Sequence, residues 1–572
     1  MSRLLRFLKD YRKECVLAPL FKMLEAIFEL FVPLVMASIV DHGIAASDTS
    51  HIWKMSLVLL LLAAVGLASS VTAQYFAAKA AVGFSTKLRH SVFEHIGSLS
   101  YSQIDRLKTP TLITRMTSDI NQAQAGVNMF LRLFLRSPFI VFGAMIMAFT
   151  VNANEALIFV VTIPALTAVV VGIMAFTMPM YKKVQMRLDA VLNRTSENLE
   201  GVRVIRAFRH EKQETDAFRA ENEDLNLLQR SVGRISALLN PVTFIIINAA
   251  TIVLLYTGAL KVDEAAITRG ELIALVNYMS QILVELIKLA NLIVTISRAL
   301  ACADRVADIL DIAPDMADGS RTLPEPAEGT PAVEFDNVSL TYAGAADASL
   351  TDISFKVMPG ESLGIIGGTG SGKSSVINLI PRFYDATEGV IKINGMDIKD
   401  ASTGSLRRSV GIVPQSAVLF SGSVADNLRW GKADATEEEM TQALKTAQAY
   451  DFVMSDPKKL DRQIYEGGKN LSGGQRQRLT IARALIMDPK ILILDDSASA
   501  LDMATDSRLR QAIASLEKKP AVFIVSQRAS SVMGCDRIMV MDNGCAAAIG
   551  THEELMDTCG IYREIYETQF GA

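Results

Sequence analysis

Between residues 15 and 297 the chain runs through six apolar segments, at 15–40, 54–79, 133–152, 155–178, 236–260 and 271–297. Each is close to the ~20 residues that a helix needs to cross a bilayer. Hydrocarbon offers no water to backbone N–H and C=O groups, so such segments must bond internally as helices. This confines the N-terminal half to a helical membrane bundle. The remainder of the 572 residues calls for a second, polar domain, because 21% of the chain is charged although 50% is hydrophobic. The net charge of −4 balances 57 basic against 61 acidic residues, so no nucleic-acid partner is expected. Cys15, Cys302, Cys535, Cys545 and Cys559 show neither metal-ligand nor disulfide spacing, and are read as reduced and structural.

The connections between the segments set orientation. Residues 41–52 and the Asn152–Glu155 turn hold no Lys or Arg, whereas 80–132 and 181–234 carry many, among them Lys87, Arg89, Arg106, Lys108, Arg115, Lys182, Lys183, Arg187, Arg203 and Arg206. Positive residues stay inside, which makes both termini cytoplasmic. Residues 1–14 place Leu4, Leu5, Leu8 and Tyr11 at helical spacing among Arg3, Arg6, Lys9, Arg12 and Lys13. That pattern predicts an amphipathic helix on the cytoplasmic membrane surface. No small-residue cleavage site closes the apolar stretch after it, so it is expected to remain in the mature protein. The two long internal connections are helix-prone, and ~25 residues on each limb would project ~37 Å into the cytoplasm. Their turns are expected near Ser98–Asp105 and Ala207–Thr215. They are either solvated hairpins or contact surfaces.

Charges within the spans are costly and need a reason. Lys22, Glu25 and Glu29 share one face of the first segment, and Glu285 and Lys288 share one face of the sixth. They form either a polar substrate pathway or ion pairs that fix helix packing. Two cations against three anions leave a formal −1, which in a shared cavity would favour cationic amphipathic cargo.

After the membrane region, 15–300, residues 301–330 contain a Pro-, Gly- and acid-rich linker, and a soluble domain spans 331–572. In it the apolar run Leu363–Ile366 breaks into Gly367, Gly368, Thr369, Gly370, Ser371, Gly372, Lys373, Ser374 and Ser375, a strand, a phosphate loop and a helix start. Glycines let backbone N–H groups approach a triphosphate, the helix N-terminus favours anions, and Lys373 reaches the β- and γ-phosphates. Ser374, Gln415 after the strand of GIVPQ, and Asp495 at the end of ILILDD can complete a Mg²⁺ shell. Ser472, Gly473, Gly474 and Gln475 of LSGGQ open another helix and form a second anion-binding end. A single nucleotide rarely needs both unless two domains face each other.

The phosphate loop, Gln415, LSGGQRQR, ILILDD, SALD at 499–502 and the strand ending at Ser526 resemble an ATP-binding-cassette nucleotide-binding domain. With six preceding spans, the chain resembles a type IV ATP-binding-cassette exporter half-transporter, in particular the degenerate-site subunit of bacterial heterodimeric multidrug exporters. The resemblance implies a fold class: an α-helical transmembrane domain of six spans with long cytoplasmic extensions, fused to an α/β P-loop ATPase domain. It also implies ATP and Mg²⁺ as cofactors, a second half-transporter as partner, the lipid bilayer of the inner membrane as location, and an amphipathic small molecule or lipid as substrate. Residues 104–122 and 197–214 resemble coupling loops, Tyr342 the aromatic that stacks on adenine, and Glu466-Gly467-Gly468 the loop that meets coupling helices. Import through the same fold, or a non-transporting ATP-gated regulator, remain alternatives.

Two positions depart from the family pattern. The general base, Glu in the family, is Asp496, whose carboxylate is drawn back by ~1.5 Å, a misplacement that can cost on the order of a hundredfold in rate. The switch His is Gln527, in Ser526-Gln527-Arg528, and an amide cannot become cationic as imidazole can. The ATP on this chain's phosphate loop is therefore expected to be bound but slowly hydrolysed, while Ser472 acts in trans on a partner's competent site. For the topology, cysteines introduced at Asp48 and Asn154 should react with an impermeant maleimide on intact cells, and cysteines at Arg106 and Arg209 should not.

Overall fold

All six apolar runs are helical, and each helix extends beyond its run. In chain order the elements of the N-terminal half are α1 (Arg3–Ile44), α2 (Thr49–Ser98), a short α3 (Tyr101–Leu107), α4 (Thr109–Val151), α5 (Ala153–Glu200), a short α6 (Val202–Ala207), α7 (Glu211–Asp263) and α8 (Arg269–Leu310). The computed structural model describes residues 2–571 except 498, and it separates into two units. One comprises Met1–Gly97 and Thr109–Ile312; the other comprises Ser98–Lys108 and Ala313–Ala572.

In the first unit, the amphipathic N-terminal segment is a 3-10 helix over Ser2–Tyr11 that runs directly into the first span. Leu4 is buried in a cluster with Ala18, Ala77 and Phe84, while Leu5 is exposed. Asn152 makes the sharp turn between α4 and α5, its side chain accepting from the N–H groups of Asn154 and Glu155 at 3.1 and 3.2 Å. Small residues bring helices close: a Cβ on Gly126 of α4 would lie 2.1 Å from Cβ of Ala299 on α8. The second hairpin turn comes earlier than its polar composition predicts, because Gly201 ends α5 and the chain turns over α6.

In the second unit, β1 (Val333–Leu340), β2 (Leu350–Val357), β4 (Glu388–Ile393) and β5 (Met396–Asp397) form an antiparallel sheet in the order β2-β1-β4-β5. β3 (Ser362–Gly367), β6 (Val410–Val413), β7 (Ile491–Asp495), β8 (Ala521–Val525), β9 (Arg537–Asp542) and β10 (Cys545–Gly550) form the other, in the order β10-β9-β3-β8-β7-β6. Parallel pairing of β9, β3, β8, β7 and β6 needs both faces covered, which explains the unbroken apolar strands ILILD and AVFIV. The antiparallel sheet and the inner face of β3, β7 and β8 share one core, with Phe335, Phe355 and Phe523 at its centre.

The linker is not free. Arg321 pairs with the 400–402 segment, its N–H donating to Asp400 O at 3.1 Å and its carbonyl accepting from Ser402 N at 2.8 Å, and Asn394 donates to Pro324 O at 2.8 Å. α3 joins this unit: Ser100 and Gln103 form a reciprocal capping box at its start, and Gln103 donates to Ala313 O at 2.8 Å. Ile493 is fully buried on β7. Ile493→Ala should lower the ATPase domain's stability by about 2–5 kcal/mol, read as a lower midpoint in thermal unfolding.

Candidate functional site

Parallel strands deliver their C-terminal ends to one edge of the sheet, where open α/β folds bind ligands. Here β3 ends at Gly367 and leads into the phosphate loop, β7 ends at Asp495, β8 leads into Ser526 and Gln527, and β6 leads into Pro414 and Gln415. Pairing order alone thus collects loci more than a hundred residues apart in sequence. The loop turns through Gly370 and Gly372, both at positive φ, and a Cβ on Gly372 would lie 2.8 Å from Leu350. It opens α9 (Lys373–Leu379). The buried Lys373 ammonium donates to the carbonyls of Gly367 and Gly368 at 3.0 and 2.6 Å.

Two carboxylates close the site. Ser374 Oγ donates to Asp495 Oδ1 at 3.4 Å, and Gln415 Nε2 donates to Asp496 Oδ2 at 3.5 Å. Asp496 sits at φ +43°, a left-handed conformation that Asp tolerates, held by its N–H donating to Val525 O at 2.9 Å. Burial pushes the Asp495 carboxyl above the usual range and the like charge of Asp496 adds to this, while Ser374 and Lys373 oppose it. Burial also raises Asp496, against Gln415, Arg528 and Lys373, and it lowers the Lys373 ammonium. The Asp495 and Ser374 oxygens meet as hard donors that suit Mg²⁺, which takes one or two carboxylates and leaves other positions to phosphates and water. When bound, the ion would neutralise phosphate charge.

Ser472 caps α10 (Gly473–Leu485), accepting from Gln475 N at 3.2 Å, while Gln475 Oε1 accepts from Ser472 N at 3.0 Å. Its exposure leaves a second helix N-terminus open to an anion. Gln527 is exposed, and its main-chain carbonyl accepts from Gln569 Nε2 of α11 (Gly560–Phe570) at 2.8 Å. Gln569 Oε1 also accepts from Ala529 N at 2.8 Å, so the C-terminal helix clips the switch segment. Tyr342 donates to Ser375 Oγ at 3.0 Å and meets Tyr384 edge-on at 5.1 Å. Tyr384 in turn donates to Asp105 of α3 at 2.7 Å, beside Tyr101, whose ring lies tilted against Phe383 at 4.6 Å. Neither Tyr384 nor Gln569 stands out in the sequence, because an aromatic and an amide in polar loops carry no spacing signal.

In the first unit, the five span charges do come together, around a sixth residue that the charge pattern passed over. Arg136 of α4 pairs with Glu285 at 2.6 Å and with Glu29 at 2.6 Å, and its Nε lies 4.0 Å from Glu25. Lys22 pairs with Glu25 at 2.6 Å and donates to Ser70 at 3.2 Å; Lys288 pairs with Glu285 at 2.9 Å, and Ser137 donates to Glu285 at 2.7 Å. Three cations face three anions, so the formal charge is zero and not −1. The basis for expecting cationic cargo disappears with it. Arg136 lies inside the third apolar run, and counting every charge in the spans would have found it.

A pH dependence follows from the carboxylates. A protonated Asp495 cannot hold Mg²⁺, so Mg²⁺-dependent nucleotide binding should fall on acidification from a higher pH than ordinary carboxylates would give. Asp496→Asn removes the neighbouring negative charge, lowers the Asp495 pKa and should move that fall to lower pH. Nucleotide affinity titrated against pH with and without Mg²⁺ checks it; an unmoved or upward-moved acid limb contradicts the coupling.

Known proteins place these features. Residues 15–286 match the ABC transporter transmembrane region and residues 350–499 the ABC transporter ATPase family. A Mycobacterium tuberculosis protein described as an uncharacterized ABC transporter ATP-binding protein is 35% identical, across 100% of this chain and 98% of its own length. The ATP-dependent lipid A-core flippase of Desulfotalea psychrophila is 34% identical over 84% of each chain. The structure of a bacterial Atm1-family ABC exporter with ATP bound superposes with a TM-score of 0.79 and 25% identity, covering 98% of both chains. Six membrane-length helices, the phosphate loop and the LSGGQ cap on one polypeptide agree with these likenesses, and the chain belongs to the ABC transporter family, with the half-transporter organisation of its exporters.

Proposed function

We propose that this chain is one subunit of an ATP-driven exporter of amphipathic compounds or lipids, a multi-pass protein of the inner membrane with both termini and the ATPase domain in the cytoplasm. Its partner is a second, different half-transporter. The observation that carries the proposal is the presence of two anion-binding helix ends, at Lys373 and at Ser472, on one ATPase unit. Paired head to tail, two such units enclose each ATP between one chain's phosphate loop and the other's cap. The flippase relative supports a lipid-like substrate.

Within such a pair this chain's residues have distinct tasks. Backbone N–H groups of 368–374 and Lys373 bind phosphate, Ser374 and Asp495 would hold Mg²⁺, and Gln415 bridges toward Asp496. Tyr342 would stack on the base, with Tyr384 and Asp105 linking that position to α3. Asp496 in place of Glu and Gln527 in place of His support slow hydrolysis at this phosphate loop. The intact Ser472 cap supports fast hydrolysis at the partner's.

Steady-state hydrolysis and nucleotide occupancy of the purified complex test this assignment. Ser472→Ala should reduce turnover on the order of a hundredfold, since it removes a phosphate contact opposite the partner's base. Asp496→Asn should cost much less, and Lys373→Ala should weaken nucleotide retention at the slow site while leaving residual turnover. Abolished turnover in Asp496→Asn beside near-normal turnover in Ser472→Ala would reverse the roles of the sites. A complex holding only this chain would replace the heterodimer with a homodimer.

A further inference from the structure

We propose that the face formed by α1, α4 and α8 binds a zwitterionic amphiphile, its acyl chain in a groove between α1 and α4, its cationic group against Glu29 and its anionic group against Lys288. This rests on the reading of the chain as an exporter of amphiphiles and names the head group. Most of the Arg136 network is closed to a ligand. Glu285, with its side chain 3% exposed, has both oxygens engaged by Arg136, Lys288 and Ser137, and Lys22 and Glu25 hold each other at 9% and 17% exposure.

Two members differ. The Glu29 side chain is 41% exposed and the Lys288 side chain 48%. Arg136 bonds Glu29 Oε2, and among the described residues Oε1 has no recorded partner; Lys288 uses one of its three donors on Glu285. Exposed charges at membrane depth are costly against lipid tails, so each calls for a polar partner there. They are tied together by the run Glu29–Arg136–Glu285–Lys288, which fixes an anion and a cation as one neutral surface. A singly charged head would satisfy one and repel the other. A head carrying both signs satisfies both.

Beside them lies an apolar groove of about 420 Å³ lined by Met23, Leu30, Leu135, Phe139, Phe142 and Ile146. Phe139 and Gly143 follow Arg136 by three and seven residues and so share its face of α4, and a Cβ on Gly143 would lie 2.5 Å from Leu30 of α1, so the groove runs alongside the Arg136 end of the ionic run. Polar end and apolar trough therefore adjoin, as an amphiphile requires. Charge complementarity selects the zwitterion from among the amphiphiles that the groove alone would admit.

The test uses the full-length protein with its co-purifying partner in detergent, without ATP, and four fluorescent-tail lipids of identical acyl chains: phosphatidylethanolamine, phosphatidylglycerol, a trimethylammonium lipid and diacylglycerol. Binding of phosphatidylethanolamine should be about fivefold tighter than that of either singly charged lipid, the size of one partly exposed ion pair. Glu29→Gln should erase the preference over phosphatidylglycerol, Lys288→Gln the preference over the cationic lipid, and Phe142→Ala should weaken all four together. Equal affinity for the four heads in the unaltered protein, tightest binding of the cationic lipid, or equal weakening of all four by Glu29→Gln would each overturn the proposal. Binding as expected with no lipid movement in reconstituted vesicles would instead overturn the export reading and leave this site standing.

Discussion

Hydrocarbon cannot hydrogen-bond, and the N-terminal half of this chain is arranged around that fact. Every backbone group in the spans must find its partner within its own helix, which leaves helices as the solution for six separate runs. The same constraint governs side chains. Arg136 and Glu285 are almost fully buried, and each is tolerable there only because the other, with Glu29, Lys288 and Ser137, supplies charge and hydrogen bonds. Removing one member of such a buried set leaves its partner uncompensated at a cost of about 3–5 kcal/mol, so the set joins α1, α4 and α8 more specifically than apolar packing could. Glu155, buried near the Asn152 turn and paired with Lys261 at 2.9 Å and Thr257 at 2.7 Å, applies the same rule between α5 and α7.

The ATPase domain solves a different problem, namely how to gather polar groups in a dry edge without losing their charge. Parallel pairing sets the phosphate loop, Asp495, Asp496 and Gln415 side by side, and burial then weakens the ionised forms of both carboxylates and of Lys373 alike. Nucleotide phosphates would favour the charged Lys373, and a divalent ion the ionised carboxylates. The Tyr342–Tyr384–Asp105 contacts reach α3, a helix belonging in sequence to the membrane half but in packing to the ATPase unit.

The departures at Asp496 and Gln527 acquire a setting that their letters lack. Asp496 is held in left-handed backbone by Val525 and approached by Gln415. The segment carrying Gln527 is fastened by Gln569 from the C-terminal helix.

Much of this was legible in the linear chain, since span length, loop charge and glycine spacing are local properties that physics reads in sequence order. Six helices, the phosphate loop, the cap at Ser472 and the buried strand ILILD all follow from neighbours within a few residues. Other facts needed the fold. Arg136 becomes the centre of the ionic network only when α1, α4 and α8 pack, because its partners lie more than a hundred residues away. Tyr384 meets Asp105, Gln569 meets the switch segment and the linker seals onto the 400–402 segment for the same reason. Contacts that close long loops leave no periodicity behind, so tertiary structure alone decided which of the span charges pair around Arg136.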